Sequence, residues 1–313
     1  MKNRGYIYII TLMIISLLAI FFYFIYSFVE NSTYLNFNRV EKINSKYAAE
    51  SVLNMAVSDK DFKKKLEEIV FNNKYTINLK TNINLQDTDI KKLNIVNKSS
   101  GKKDLVEIDT NIKFKNSLAA AKIRANIINK IYKEEDGILN SSKLESEELI
   151  EVKEGFNKHN FQSSNKEFIE LDGDFIIDYI AGTRAILEEV EEYDEELDEF
   201  VKREVEVRKF ENKDIIYQKS GTLELRNRAK ISFLIINDKV VFNDNKLFGI
   251  IVINEGAEIS NNCMLEGYLI DLYDKNSSIN VNYDYLMVKS FGDVLPEYVK
   301  FQPISLNHYD LEN

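Results

Sequence analysis

No charged residue falls between Arg4 and Glu30, and the run from Tyr6 to Val29 is apolar almost throughout. A helix rises about 1.5 Å per residue, so this stretch would measure about 36 Å, enough to cross a hydrocarbon core of about 30 Å with some tilt. A chain carrying such a run must be built behind a membrane-spanning helix. A cleaved secretory signal has a shorter apolar region and a small-residue cleavage site. Here Phe24-Ile25-Tyr26-Ser27-Phe28 is bulky where small residues are needed, so the sequence predicts an uncleaved, single-pass anchor spanning 6–29. Lys2, Arg4 and the amino terminus precede the span with no acid among them, and Glu30 follows it at once. That asymmetry favours a cytoplasmic N-terminus and an extracytoplasmic bulk, located at the cytoplasmic membrane.

The rest of the 313-residue chain is long enough for one large or two modest domains. Apolar content of 44% and charged content of 29% argue for a folded chain rather than a disordered one. The net charge of −10 disfavours a nucleic-acid partner, which needs a basic surface. Cys263 is alone, so no intramolecular disulfide is available, and the residue reads as a small buried apolar side chain.

The helical pattern does not stop at the membrane boundary. Phe37, Val40, Ile43 and Tyr47, followed by Ala48, Val52 and Met55, extend the stripe, and no Gly or Pro interrupts Tyr6 to Val57. Either one long helix or two helices broken near Asn31-Ser32-Thr33 fits this pattern. Arg4-Gly5, a long apolar helix at once, and Tyr47-Ala48-Ala49-Glu50-Ser51-Val52-Leu53 about forty residues later resemble the N-terminal region of PilX-type minor pilins and related type IV pilin-like proteins. The resemblance covers residues 1 to about 57. It implies an N-terminal helix bearing a small-residue patch, a globular head, and assembly with other pilin-like subunits or pilus assembly proteins through the helix. Type IV prepilins are cut after a Gly and carry Glu at the fifth mature position. If Gly5 is that Gly, the fifth position here is Ile10. Glu50 then reads either as an exposed helix carboxylate or as a packing residue.

The expected fold class is α+β: an N-terminal transmembrane helix extending into a long stalk helix (1–57), an α+β segment (58–140), a linker with an acidic helix (141–203) and a β-rich C-terminal region (204–313). In the second segment Ser58 can cap a helix with the apolar face Phe62, Leu66, Ile69 and Val70. Strand patterns follow at 75–79 and 106–114, and a helix is expected over Leu118 to Tyr132. Ile186, Val190, Tyr193, Leu197 and Val201 suggest a helix over 183–203 whose other face is strongly acidic, a solvated face by ordinary expectation. Beyond 204, short apolar runs alternate with Asn, Asp and Gly. Phe248-Gly249-Ile250-Ile251-Val252-Ile253 sits 18 residues before Glu266-Gly267-Tyr268-Leu269-Ile270-Asp271, and Ile259 and Ile279 are 20 apart. A period near 20 suits one coil of a short β-solenoid, and a β-sandwich is the alternative. The tail from Pro296 reads as loop or a capping strand.

Motifs that carry chemistry are missing. The sequence has no Gly-rich phosphate loop, no HExxH and no Cys cluster. His159 and His308 have no companion motif, and Asp172-Gly173-Asp174 lacks EF-hand spacing and reads as a plain turn. The sequence assigns no catalytic, cofactor-binding or metal-binding residue, no cofactor and no enzymatic activity. Two functions remain open. One is a non-catalytic, membrane-anchored pilin-like subunit of a type IV pilus or a related secretion or DNA-uptake system, with Ala48 and Ala49 permitting close helix approach. The other is a membrane-tethered extracytoplasmic binding or scaffolding protein that enters no filament.

Overall fold

The computed structural model describes residues 4–79, 83–101, 103–158, 161, 166–180, 182–194, 198–211, 214–226, 231–243, 246–276 and 278–309. The chain forms two compact units, Met1–Ala125 with Pro303–Asn313, and Asn126–Gln302.

The first unit begins with α1, a single unbroken helix of 54 residues, Arg4–Val57. Asn31-Ser32-Thr33 does not interrupt it. A shorter helix, α2 (Phe62–Phe71), buries Phe62, Leu66, Ile69 and Val70, the face expected from the sequence. Its N-cap is Asp61 rather than Ser58; Asp59 Oδ1 accepts the Asp61 amide at 2.8 Å and tightens the turn into the helix.

A five-stranded sheet follows, in the order β1 (Thr76–Asn78), β2 (Thr88–Asn97), β3 (Leu105–Phe114), β4 (Ser117–Ile128) and β18 (Val299–Tyr309), the last strand of the chain. Val106, Ile108, Thr110 and Ile112 of β3 alternate into the interior, and α1 packs on this strand. The stretch expected as a helix over Leu118–Tyr132 is instead β4 followed by a 3-10 turn at Lys130–Tyr132. Lys122, Arg124 and Asn126 alternate there with buried Ile123, Ala125 and Ile127. This period of two outweighs the helix-forming alanines once β3 lies alongside.

The second unit is mostly a β-solenoid. Each coil gives one strand to each of two sheets: β6 (Phe168–Asp172) with β7 (Phe175–Ile180), β10 (Ile215–Ser220) with β11 (Leu223–Leu225), β12 (Phe233–Ile236) with β13 (Lys239–Phe242), and β14 (Lys246–Ile253) with β15 (Glu258–Ser260). Next come β16 (Cys263–Asp271) and β17 (Ile279–Tyr283). Neighbouring coils pair in parallel, with Ile215 opposite Phe233, Phe233 opposite Ile250, and Ile250 opposite Tyr268.

The parallel pairing is that of a solenoid rather than a sandwich. Phe248 lies on Glu266 and Gly249 on Gly267, so the 18-residue correspondence is a true rung repeat. The 20-residue one is not, because Ile259 pairs with Val240 and Ile279 with Cys263. Inward side chains from both sheets, among them Ile216, Leu234, Ile251, Leu223 and Val240, form one stacked core. β5 (Ile138–Asn140) joins β16 at the end of one sheet. α3 (Ser146–Lys158) and α4 (Tyr285–Ser290) complete the unit.

The expected acidic helix over 183–203 does not form. β8 (Thr183–Asp194) and β9 (Glu199–Phe210) pair antiparallel on the edge of the second sheet. Charges pair diagonally across the two strands, with Lys202 at 3.3 Å from Glu189 and Arg203 at 3.7 Å from Glu192. This cross-strand pairing is non-local and so is hidden from a helical-period reading. The fold has the expected long N-terminal helix and β-rich C-terminal region, but two expected helices are strands and its content is mostly β.

Candidate functional site

The feature that sets this chain apart is α1. From Tyr6 to Val29 its side chains are exposed on almost every face, Leu17 for example at 69%. The helix carries an 18-residue window with a mean hydropathy of 2.6, none of it buried. A helix apolar all round must be covered by something other than its own fold, and by length and composition α1 is a candidate single membrane span. Two of its hydroxyls are satisfied within the helix: Thr11 Oγ1 donates to Ile7 O at 2.9 Å and Ser16 Oγ to Leu12 O at 2.8 Å.

Beyond Glu30 the helix presents two faces. One is committed to the sheet of its own unit: Glu41, Ser45, Ala48, Ala49, Val52, Leu53 and Ala56 are buried. Ala49 is wholly buried, so the small residues expected to serve contacts between membrane helices are used for helix-on-sheet packing. The Glu41 carboxylate accepts the Asn116 amide at 2.8 Å, at the connection between β3 and β4. Glu50 Oε1 lies 2.7 Å from His308 Nε2 on β18, so Glu50 has a specific packing partner. Spacing alone offered no link between residues so far apart in sequence. The other face leaves Phe37, Val40, Ile43 and Tyr47 exposed although they lie past the apolar span.

The remaining sequence candidates serve structure. Asp172 Oδ1 and Oδ2 accept bonds from Ser220 Oγ (2.6 Å) and Lys219 Nζ (2.7 Å), and Asp174 Oδ1 accepts from the Thr222 amide (2.7 Å). The bond from Lys219 holds the Asp172 carboxyl below its ordinary range. Both carboxylates thus tie one coil to the next and form a plain turn. Burial pushes the Cys263 thiol up to about 12, so it stays protonated and unreactive at neutral pH. His159 lies outside the described residues. Among the described residues no three His, Cys, Asp or Glu side chains form a group able to hold a metal ion.

A groove of about 560 Å³ runs along the solenoid over Phe168, Tyr217, Ile235 and Val252. The amides beside it are engaged with one another: Asn254 Nδ2 donates to Asn237 Oδ1 at 2.5 Å, and Asn237 Nδ2 to Gln218 O at 2.8 Å. They stitch neighbouring rungs together.

No protein-family model matches the chain, and neither does any curated protein or solved structure. The resemblance to pilin-like proteins rests on residues 1–57 alone.

Proposed function

We propose that this chain is a membrane-anchored, pilin-like structural subunit, held in the cytoplasmic membrane by Tyr6–Val29 with its N-terminus inside, and able to pass from lipid into a bundle of partner helices outside. The observation that carries this reading is the mismatch between span and apolar surface. A plain tether would become polar where it leaves the bilayer. Here Phe37, Val40, Ile43 and Tyr47 stay exposed on a helix whose other face is already filled by its own sheet. Each such side chain is worth about 1.5–3 kcal/mol when removed from water, so this surface favours a partner. The Arg4-Gly5 start is further support from sequence.

The second reading, a tethered extracytoplasmic binding or scaffolding protein, is favoured by one residue: Ile10 stands where pilins that assemble in the common way carry Glu. Shearing cells and blotting both fractions separates the two. Recovery in the sheared filament fraction is expected for a subunit, and retention of all the protein in the membrane would overturn that role.

A further inference from the structure

The exposed seam of α1 has a regular spacing. Leu12, Ile15, Ala19 and Phe22 are separated by 3, 4 and 3 residues, and the same alternation continues through Tyr26, Val29, Thr33, Asn36, Val40 and Ile43 to Tyr47. Spacing that averages 3.5 is the signature of a helix that supercoils on a neighbour. Beyond the span, successive residues turn by about 100°. This puts Val40, Ile43 and Tyr47 on a line about 170° away from the mean direction of the side chains that pack on the sheet. The seam is therefore free while the fold of the first unit is intact.

At the membrane exit the seam is shaped to receive a side chain. Tyr26, Val29, Glu30 and Thr33, at positions i, i+3, i+4 and i+7, border an apolar cleft of about 420 Å³ that Tyr34 and Phe37 extend. Four residues at that spacing make the hole into which a knob from a facing helix inserts.

We propose that the occupant is α1 of a second copy of this chain, parallel and in register. The inference rests on Tyr6–Val29 being a membrane span and not on filament formation. Copies anchored in one membrane share orientation and depth, so their helices meet parallel with like residues level. In that arrangement Val29 of each copy enters the Tyr26–Val29–Glu30–Thr33 hole of the other. Asn36 meets Asn36 in a polar layer, which penalises slipped registers. The flanking charges raise no obstacle: across a parallel seam Arg39 falls beside Asn44 of the second copy, and Lys46 beside Ser51.

The test is oxidative cross-linking of the full chain in its own membrane with single added cysteines, the native Cys263 being buried. Val40→Cys and Ile43→Cys should give a disulfide-linked dimer severalfold more readily than Leu35→Cys and Asn38→Cys, which lie off the seam at the same depth. Replacing Asn36 with Ile should relax the register and raise cross-linking between non-identical positions. Equal yields at all four positions, or none at any, would overturn the pairing. Because a staggered helical filament does not bring identical residues together, filaments without cross-links would remove the in-register pair and leave assembly standing.

Discussion

Gly249 and Gly267 lie opposite each other on adjacent coils, both at positive φ (+145° and +152°). Replacing Gly267 with Ala would place Cβ 1.8 Å from Gly249 O, 2.8 Å from its carbonyl carbon and 3.1 Å from its nitrogen. These are backbone atoms in a stacked rung, so they cannot rotate aside. The backbone conformation costs an L residue about 1–3 kcal/mol. Overpacking against a fixed neighbour adds about 1–3 kcal/mol. Together the substitution should destabilise the second unit by about 2–6 kcal/mol, and for a unit of this size each kcal/mol lowers the midpoint by about 2–4 °C. We expect a drop of roughly 5–20 °C, read by thermal unfolding of the detergent-solubilised full chain, with hydrogen exchange on β14 and β16 assigning it to the solenoid. The control is Gly155→Ala on α3, where nothing lies within 4 Å of the new Cβ and removing a helical glycine should stabilise by about 0.5–1 kcal/mol. An unchanged midpoint for Gly267→Ala, or equal effects at the two positions, would refute the stacked-rung geometry.

Three further predictions follow from other parts of the molecule. Ala49→Leu should destabilise the first unit by about 1–3 kcal/mol through overpacking against the sheet; a normal melting profile would mean that Ala49 serves contacts between chains instead. Leu17→Asp should abolish carbonate-resistant membrane association, since a central carboxylate costs about 2.5–3.5 kcal/mol on insertion, and undiminished recovery would contradict the span. Glu224 receives bonds from Arg226 at 2.7 and 2.9 Å, and this pairing lowers its pKa from the ordinary 4.5. Its contribution is complete above the unfolded value and is lost as pH falls through the depressed folded one, so Glu224→Gln should flatten the acid limb of the stability profile below about pH 4.5.

The apolar N-terminal helix and the face of α2 were legible in the sequence because each is set by a local period, whereas the sequence allowed either a continuous or a broken α1 at Asn31-Ser32-Thr33 and its continuity emerged from the structure. So was one solenoid rung, where Gly249 and Gly267 occupy the same register position 18 residues apart. The first coil was not, because β8 and β9 separate β7 from β10 and dilute the repeat. The acidic stretch misled for a related reason: its stripe of Ile186, Val190 and Tyr193 has helical spacing, and only pairing with the strand that follows makes it β. Glu50 and His308 belong to elements at opposite ends of the chain, and β18 had no pattern of its own that tied it to the first unit's sheet. The exposed seam of α1 was visible as a stripe, but its freedom became apparent only once the sheet was seen to occupy the other face.

The central claim is that α1 serves as the assembly helix of a pilin-like subunit, and the N-terminus of the chain recovered from a sheared surface fraction tests it most directly. A subunit that assembles through α1 is expected in that fraction, beginning at Tyr6 after loss of residues 1–5 and with the apolar span retained. Recovery only from the membrane, with Met1 still in place, would contradict it and leave a tethered extracytoplasmic protein.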